Sequence, residues 1–387
     1  MSRLHVFLYP ISPDYSGAAA ALFDLGGITV MHDASGCTGN YTGYDEPRWL
    51  GSRSATYCSG LRRMDAVLGN DEKYIRRTIQ AAKDLNPSVV CFLGSPVPIL
   101  IGTDLKGMAR EVEEETGIPS FGFETSGQGY YDKGASDVFL ALTKRFCKGK
   151  TGQQSDRLRV NLLGMLPIDF GNRGNLREIP AFVEAQGMEI NANFAAGLTI
   201  AQIRRAADAD WNLVMSRSGL ALAKYMEKKY GVPYFCGVPI GDGGQWLRAF
   251  EERKTGRDTA PAKTQSDGKG ILILHEQVFA NSLRAYLGVL APEVPVTIGS
   301  LIGLEPALSE PGDLDLNLEQ DLMRELNSGK YAAVVGDPEL HRVLRRGDVR
   351  MLPLPHVAVS SKLHWDEYPA YIRTELPNLL REALKTV

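Results

Sequence analysis

Residues 111–129 read "EVEEETGIPSFGFETSGQG". A charged, amphipathic run stops at Gly117, passes through Pro119 into a short apolar stretch, and opens into a glycine-rich loop. Glycine just past a helix, followed closely by proline, marks a helix end that hands over to an extended segment. Residues 225–244, "YMEKKYGVPYFCGVPIGDGG", repeat the phrase, and residues 291–303, "APEVPVTIGSLIG", carry a looser version. Three versions of one phrase predict three units of one architecture.

The flanking sequence agrees. Short β-branched runs such as "GITVM", "SVVCFLG", "RVNLLGM", "NLVMS", "GILILHE" and "YAAVVGD" alternate with runs such as "DEKYIRRTIQAAKDL" and "NLEQDLMRELNSG", whose apolar residues recur at i, i+3 and i+4. Strand–helix alternation predicts an α/β fold with parallel sheets flanked by helices. Polar, aperiodic breaks at 147–157 and 253–270 divide the chain into 1–150, 151–265 and 266–387. Each piece is long enough for a Rossmann-like domain, and loops at the strand ends would face a shared central cleft.

Composition removes several functions. Lys and Arg total 43 against 46 Asp and Glu, so no basic surplus is available for a nucleic-acid backbone. The most apolar run, "VVCFLGSPVPILIG", is interrupted by Gly94, Ser95, Pro96 and Pro98 and falls short of a membrane span. The first residues, "MSRLHVFLYP", lack the core of a leader peptide, and a cytoplasmic protein is expected. Nucleophile-elbow, P-loop, zincin and dinucleotide signatures are absent. The five cysteines are odd in number and contain no Cys-x-x-Cys pair, which argues against a disulfide framework, a zinc ribbon or a ferredoxin run.

The cysteines differ in setting. Cys37, in "HDASGCTGNY" (32–41), follows a buried strand and lies between Gly36 and Gly39, an open place for a ligand or reactive thiol. Cys58 precedes an expected helix, whose N-terminus would favour a thiolate. Cys91 lies inside a strand that reads as core, Cys147 ends a helix, and Cys236 ends a strand beside the expected cleft. No segment supplies four soft ligands, but a two-fold subunit interface doubles whatever one chain offers.

The order of "ASGCTGNY" (34–41), "MDAVLG" (64–69), "LIGTDL" (100–105), Gly-x-Pro and "TSGQG" resembles component 1 of the nitrogenase family. "YMEKKYGVP" (225–233) resembles the helix–strand junction of that family's second domain. The family includes the molybdenum–iron protein subunits, their assembly scaffold, and reductases of protochlorophyllide and of a nickel tetrapyrrole. The resemblance is strongest over residues 10–135, weaker over 205–240 and thin after 270. It implies that Cys37 matches the second of three cysteines holding an interface iron–sulfur cluster. The first falls at "SPDYSG", where Asp14 is an oxygen donor or a helix cap, and the third near Pro96. The resemblance therefore implies a 4Fe–4S cluster shared between subunits, held by Cys37 and Cys58 taken twice, with Cys91 as the second-ranked ligand. Met215 and about Ser360 fall where the nitrogenase α subunit has its cysteine and histidine ligands, so neither the iron–molybdenum cofactor nor dinitrogen reduction is expected.

The function expected is the catalytic component of a nitrogenase-like reductase. A homodimer or a related second subunit would complete the cluster, an ATP-dependent iron protein would supply electrons, and a small molecule would be reduced in the cleft. Cleft candidates are Gly94, Ser95, Arg217, Ser218, Cys236, His356 and His364. Arg217, with its planar fork, would clamp a carboxylate or phosphate. The alternative is a non-catalytic scaffold or carrier on which a metallocluster matures.

Overall fold

A computed structural model describes residues 5–49, 54–152, 155–171, 174–253 and 269–386. The phrase that opened the sequence folds as read. Gly117 and Gly231 adopt left-handed φ values of 70° and 69° and close their helices, and a strand follows each. Most of the 253–270 break lies outside the described residues.

Three parallel sheets draw on consecutive stretches of chain. The first is built from β1 (Ile28–Met31), β2 (Ala55–Cys58), β3 (Val90–Leu93) and β4 (Ser120–Phe123), in the order β2-β1-β3-β4. The second contains β5 (Arg159–Leu163), β6 (Glu189–Phe194), β7 (Trp211–Val214) and β8 (Tyr234–Cys236), ordered β6-β5-β7-β8. The third holds β9 (Gly270–Leu274), β10 (Val296–Ser300), β11 (Leu314–Asp315), β12 (Tyr331–Gly336) and β13 (Arg350–Pro353), ordered β11-β10-β9-β12-β13. In each sheet the first strand of the stretch is interior and the chain reverses direction beside it, which creates a crevice at the strand C-termini.

β2, β6, β11 and β13 were not among the expected strands. β6 hides because Asn191, which is buried, and the half-buried Asn193 break its apolar pattern. Asn191 donates to Asn161 at 2.9 Å and Asn161 to Asn212 at 2.8 Å, a polar ladder across β6, β5 and β7. β2 matters more, since it moves Cys58 from a helix entrance to a strand end. Its partner register pairs Met31 with Cys58.

Two helices organise the centre, and one of them has no amphipathic period. The helix α1 (Asp14–Leu22) is buried at every residue, as a helix apolar on all sides must be. It crosses the long helix Tyr131–Phe146 at backbone contact. A Cβ on Gly17 would lie 1.8 Å from the Tyr131 carbonyl oxygen, and one on Gly134 would lie 1.9 Å from that of Asp14. The core is not divided sheet by sheet. One cluster runs from α1 through Leu163 and Phe194 to Val278, and a second joins Leu162 and Phe235 to Ile273 and Val335. The three stretches are thus packed on shared cores. No helix among the described residues is long and apolar enough to cross a membrane.

Candidate functional site

The crevice of the first sheet carries two thiols. After β1 the chain passes His32 and Asp33 and turns into a short helix, α2 (Gly36–Asn40). Asp33 is buried and accepts the Thr38 backbone N–H at 3.0 Å and its hydroxyl at 3.3 Å, which fixes this helix to the strand end. Cys37 lies in its first turn, half-buried, hydrogen-bonded by Tyr15 and Ser95. Ser95 in turn donates to the His32 carbonyl at 3.0 Å, so the end of β3 is tied to the end of β1 beneath the thiol. Gly94, just before Ser95, lets the loop after β4 come close: a Cβ there would meet the Thr125 carbonyl oxygen at 2.4 Å.

Cys58 ends β2, five residues before the helix α3 (Arg63–Leu68). Its sulfur lies 3.4 Å from the Asp33 carbonyl oxygen and accepts the Gly60 N–H at 3.3 Å. The thiol's environment is therefore the end of a parallel strand and its turn, not a helix dipole. Burial pushes the Cys37 thiol above its ordinary pKa, with Asp33 and the nearby Cys58 acting in the same direction. Unligated, Cys37 favours neutral sulfur. A bound cation reverses that preference, since metal ligation takes the thiolate form.

The other ligand candidates are placed differently. Cys91 is sealed in β3 and burial drives its thiol far above the usual range. The Asp14 carboxylate is occupied by backbone N–H groups: Gly127 at 2.7 Å, Tyr15 at 2.8 Å and Ser126 at 3.0 Å. It holds the "TSGQG" loop against α1. Among the described residues no group of three or more His, Cys, Asp and Glu side chains is arranged to hold a metal ion. The described part of one chain therefore offers two thiols and no third ligand.

The same edge of the sheet exposes apolar side chains. Met64, Val67 and Leu68 on α3 are 62%, 71% and 71% exposed. Leu100, in the short helix Pro96–Leu100 that follows β3, is 79% exposed. Apolar surface of this kind marks an interaction face.

The expected three-way cleft is a packed polar junction. Tyr131, from the first stretch, donates to Oδ1 of Asp169 in the second, and Nε2 of His356 in the third lies 3.2 Å and 3.3 Å from those two oxygens. Arg217 forms a second three-way tie. Its guanidinium sits 2.7 Å from Asp132 and donates to the carbonyls of Ile302 (2.9 Å) and Gly303, while its backbone N–H reaches Glu276 at 2.7 Å. The Arg217 fork is thus committed inside the protein, not open as an anion clamp. The His275 ring stacks on His356 at 4.3 Å. The cavity against His275, Glu276 and His356 measures about 10 Å³, room for no substrate.

Burial dominates the protonation of this junction. It pushes Asp169 up to about 7 and Glu276 up to about 8, where the Asp169 charge adds, and it pushes His356 down to about 3. Ser218 is buried beside Arg217, and its hydroxyl has no partner among the described residues. Cys236 is buried at the end of β8, in the core shared by all three stretches. His364 stays outside the junction, 2.9 Å from Glu367 and 3.4 Å from Glu339. Tyr131, Asp132, Asp169, His275 and Glu276 were missed in the sequence. The one available signal was "LHEQ", two titratable residues ending a fully apolar strand.

The sequence profile described as nitrogenase component 1 type oxidoreductase matches residues 13–269. The nitrogenase iron-molybdenum cofactor biosynthesis protein NifE of Methanosarcina barkeri is 25% identical over 237 residues, 57% of this chain and 50% of that protein. One subunit of the light-independent protochlorophyllide reductase of Methylobacterium sp. (strain 4-46) is 24% identical over 331 residues, 78% of this chain and 64% of that protein. The matches thus span about half to two thirds of these relatives' own lengths. The solved structure of nitrogenase Cp1 at pH 5 superposes with a TM-score of 0.67 at 16% identity, covering 99% of this chain and 88% of that one, which extends the likeness of fold to the whole chain. The strand-end thiol loop, the three parallel sheets and the profile match agree: the chain belongs to the nitrogenase component 1 type oxidoreductase family.

Proposed function

We propose that this chain is the catalytic component of a nitrogenase-like reductase. Two copies, or one copy and a related subunit, meet over the apolar edge of the first sheet and share a 4Fe–4S cluster. The observation that carries this reading is the placement of Cys37 and Cys58. Both thiols flank Asp33 at the ends of adjacent parallel strands, with no third ligand among the described residues and an apolar surface beside them. Their donor set suits iron–sulfur chemistry, because soft thiolates are the usual ligands of such clusters. When bound, the cluster supplies one-electron transfer, fed by an ATP-dependent iron protein. The chain's own residues set its surroundings: Asp33 fixes the Cys37 helix, and Tyr15 and Ser95 orient the thiol.

The test is iron and sulfide content after anaerobic, iron-replete expression. A shared four-iron cluster gives two irons per chain, and Cys37→Ala or Cys58→Ala abolishes it. Colourless, iron-free wild-type protein both alone and co-expressed with a related subunit, or full iron retention in the double variant, refutes the reading. A scaffold is the second reading, favoured by the packed junction and by the similarity to a cofactor biosynthesis protein. Oxidation of the reduced cluster coupled to turnover of a small molecule separates the two: a scaffold instead releases its cluster intact to an acceptor protein.

A further inference from the structure

A cavity of about 470 Å³ opens between the first and third stretches, away from the packed junction. Tyr9, Tyr15 and Tyr44 line it with aromatic surface, and Asp45, Ser361 and Lys362 supply its polar groups. Its volume falls within the range of small-molecule sites, as does its lining of apolar surface with a few convergent polar groups.

The polar groups are held in place. Asp45 is 1% exposed, yet its carboxyl accepts hydrogen bonds from Ser16 (2.7 Å), Asn40 (2.9 Å) and Ser361 (3.2 Å). These come from α1, from the end of α2 and from the third stretch, so the cavity wall is a seam stitched by one acid. The Lys362 ammonium lies 4.4 Å from the centre of the Tyr44 ring, over an aromatic face and, among the described residues, not on a carboxylate. Such a cation is fixed in direction while its charge remains available to an anion.

We propose that this cavity binds a small aromatic carboxylate of two or three rings, its rings against Tyr9 and Tyr44 and its carboxylate on Lys362, with Asp45 facing it as a proton-carrying group. The site also borders the cluster thiol, because Tyr15 both lines the cavity and hydrogen-bonds Cys37. A molecule bound here would sit one side chain from the cluster, which makes the cavity the substrate chamber if the reductase reading holds; binding itself does not require iron.

Charge makes the binding depend on pH. Burial raises Asp45 to about 6, against its hydrogen bonds from Ser16, Ser361 and Asn40. The titratable groups facing it are Tyr15 from α1, kept neutral by burial, and Lys362 and Tyr44 on the cavity wall. His364, three residues beyond Ser361, is turned to Glu367 and Glu339. Ionising Asp45 places a second negative charge beside the bound carboxylate, so affinity falls as pH rises through 6.

The probe is 2-naphthoate, titrated by fluorescence into metal-free protein. We expect one saturable site per chain, weaker at pH 7.5 than at pH 5.5 by about fivefold. Lys362→Met raises Kd about tenfold, since a charge-assisted contact of this kind contributes about 1.4 kcal/mol, and Lys362→Arg restores it. Asp45→Asn retains binding and flattens the pH dependence. Lys362 is exposed, so its variants do not test folding. Absence of saturable binding overturns the proposal. So does an unchanged Kd in Lys362→Met, equal affinity for neutral 2-naphthalenemethanol, or a persisting pH slope in Asp45→Asn. None of these outcomes bears on the iron content of the thiol site, so the two readings fail separately.

Discussion

Replacing Arg217 by methionine should unlock the three-way junction. Among the described residues the guanidinium is the only cation bonded to Asp132, at 2.8 Å through Nε and 2.7 Å through Nη2, and it also satisfies the Ile302 and Gly303 carbonyls. Its side chain is 16% exposed and that of Asp132 is 10%, so solvent compensates little. Removing one partner of a buried pair leaves the other charge uncompensated, at a cost of about 3–5 kcal/mol. We expect about 4 kcal/mol for Arg217→Met, which also orphans two carbonyls, and about 3 kcal/mol for Asp132→Asn. In the double variant no buried charge remains, so its cost should be about 4 kcal/mol rather than the additive 7. The assay is urea unfolding at pH 7 followed by tryptophan fluorescence. With a slope near 3 kcal/mol per M for a chain of this size, Arg217→Met moves the first midpoint down by roughly 1.3 M. A shift below about 0.3 M, or a double variant as destabilised as the sum of the singles, refutes the claim that this ion pair locks the junction.

Other consequences are open to direct measurement. Asp169 and Glu276 are raised by burial to about 7 and about 8 from unfolded values near 4, so the folded chain holds protons that the unfolded chain releases. Below about 6.5 the buried neutral His356, lowered to about 3, contributes the opposite slope, so the fall in stability should show as pH climbs from about 6.5 and level off above about 8; Asp169→Asn removes its part of that slope, and a melting temperature that rises from pH 6.5 to 8 contradicts it. In metal-free protein a maleimide should label Cys37 and Cys58 readily and Cys91 only after unfolding, as peptide mapping will show. Gly17→Ala drives a Cβ to 1.8 Å from the Tyr131 carbonyl oxygen, and about 3 kcal/mol or more of destabilisation should follow; a neutral result means α1 can shift. Leu68→Asp, on a side chain 71% exposed, should leave the melting temperature of the monomer unchanged while weakening self-association in sedimentation.

Much of the architecture is legible in residues 111–129 and their repeats, because helix ends at glycine and strand entries after proline are local steric facts. The expectation of parallel sheets flanked by helices follows from them, and the structure agrees. Local sequence also singles out Cys37, a thiol just past a buried strand. The central helix α1 lacks an amphipathic period because the fold covers it on every side, and β6 is masked by its asparagine ladder. Pattern reading depends on one face meeting water, so elements buried all round escape it.

The family resemblance implied Cys37 and Cys58 together, but neither segment by itself places one thiol near the other. Cys37 and Cys58 are 21 positions apart, and they meet only because β2 lies parallel beside β1 with Cys58 opposite Met31. Register is a property of the sheet, not of either segment. The same holds at the junction, where Tyr131, Asp169 and His356 come from three stretches and Arg217 finds its partners in two others. The sequence by itself determined the repeated α/β unit and the exposed thiol turn, because both follow from neighbouring residues. Only the tertiary structure decided that Cys58 ends a strand laid beside β1, that Arg217 is spent within the protein, and that the open space lies behind Tyr15, because each of these depends on which distant residues are brought together.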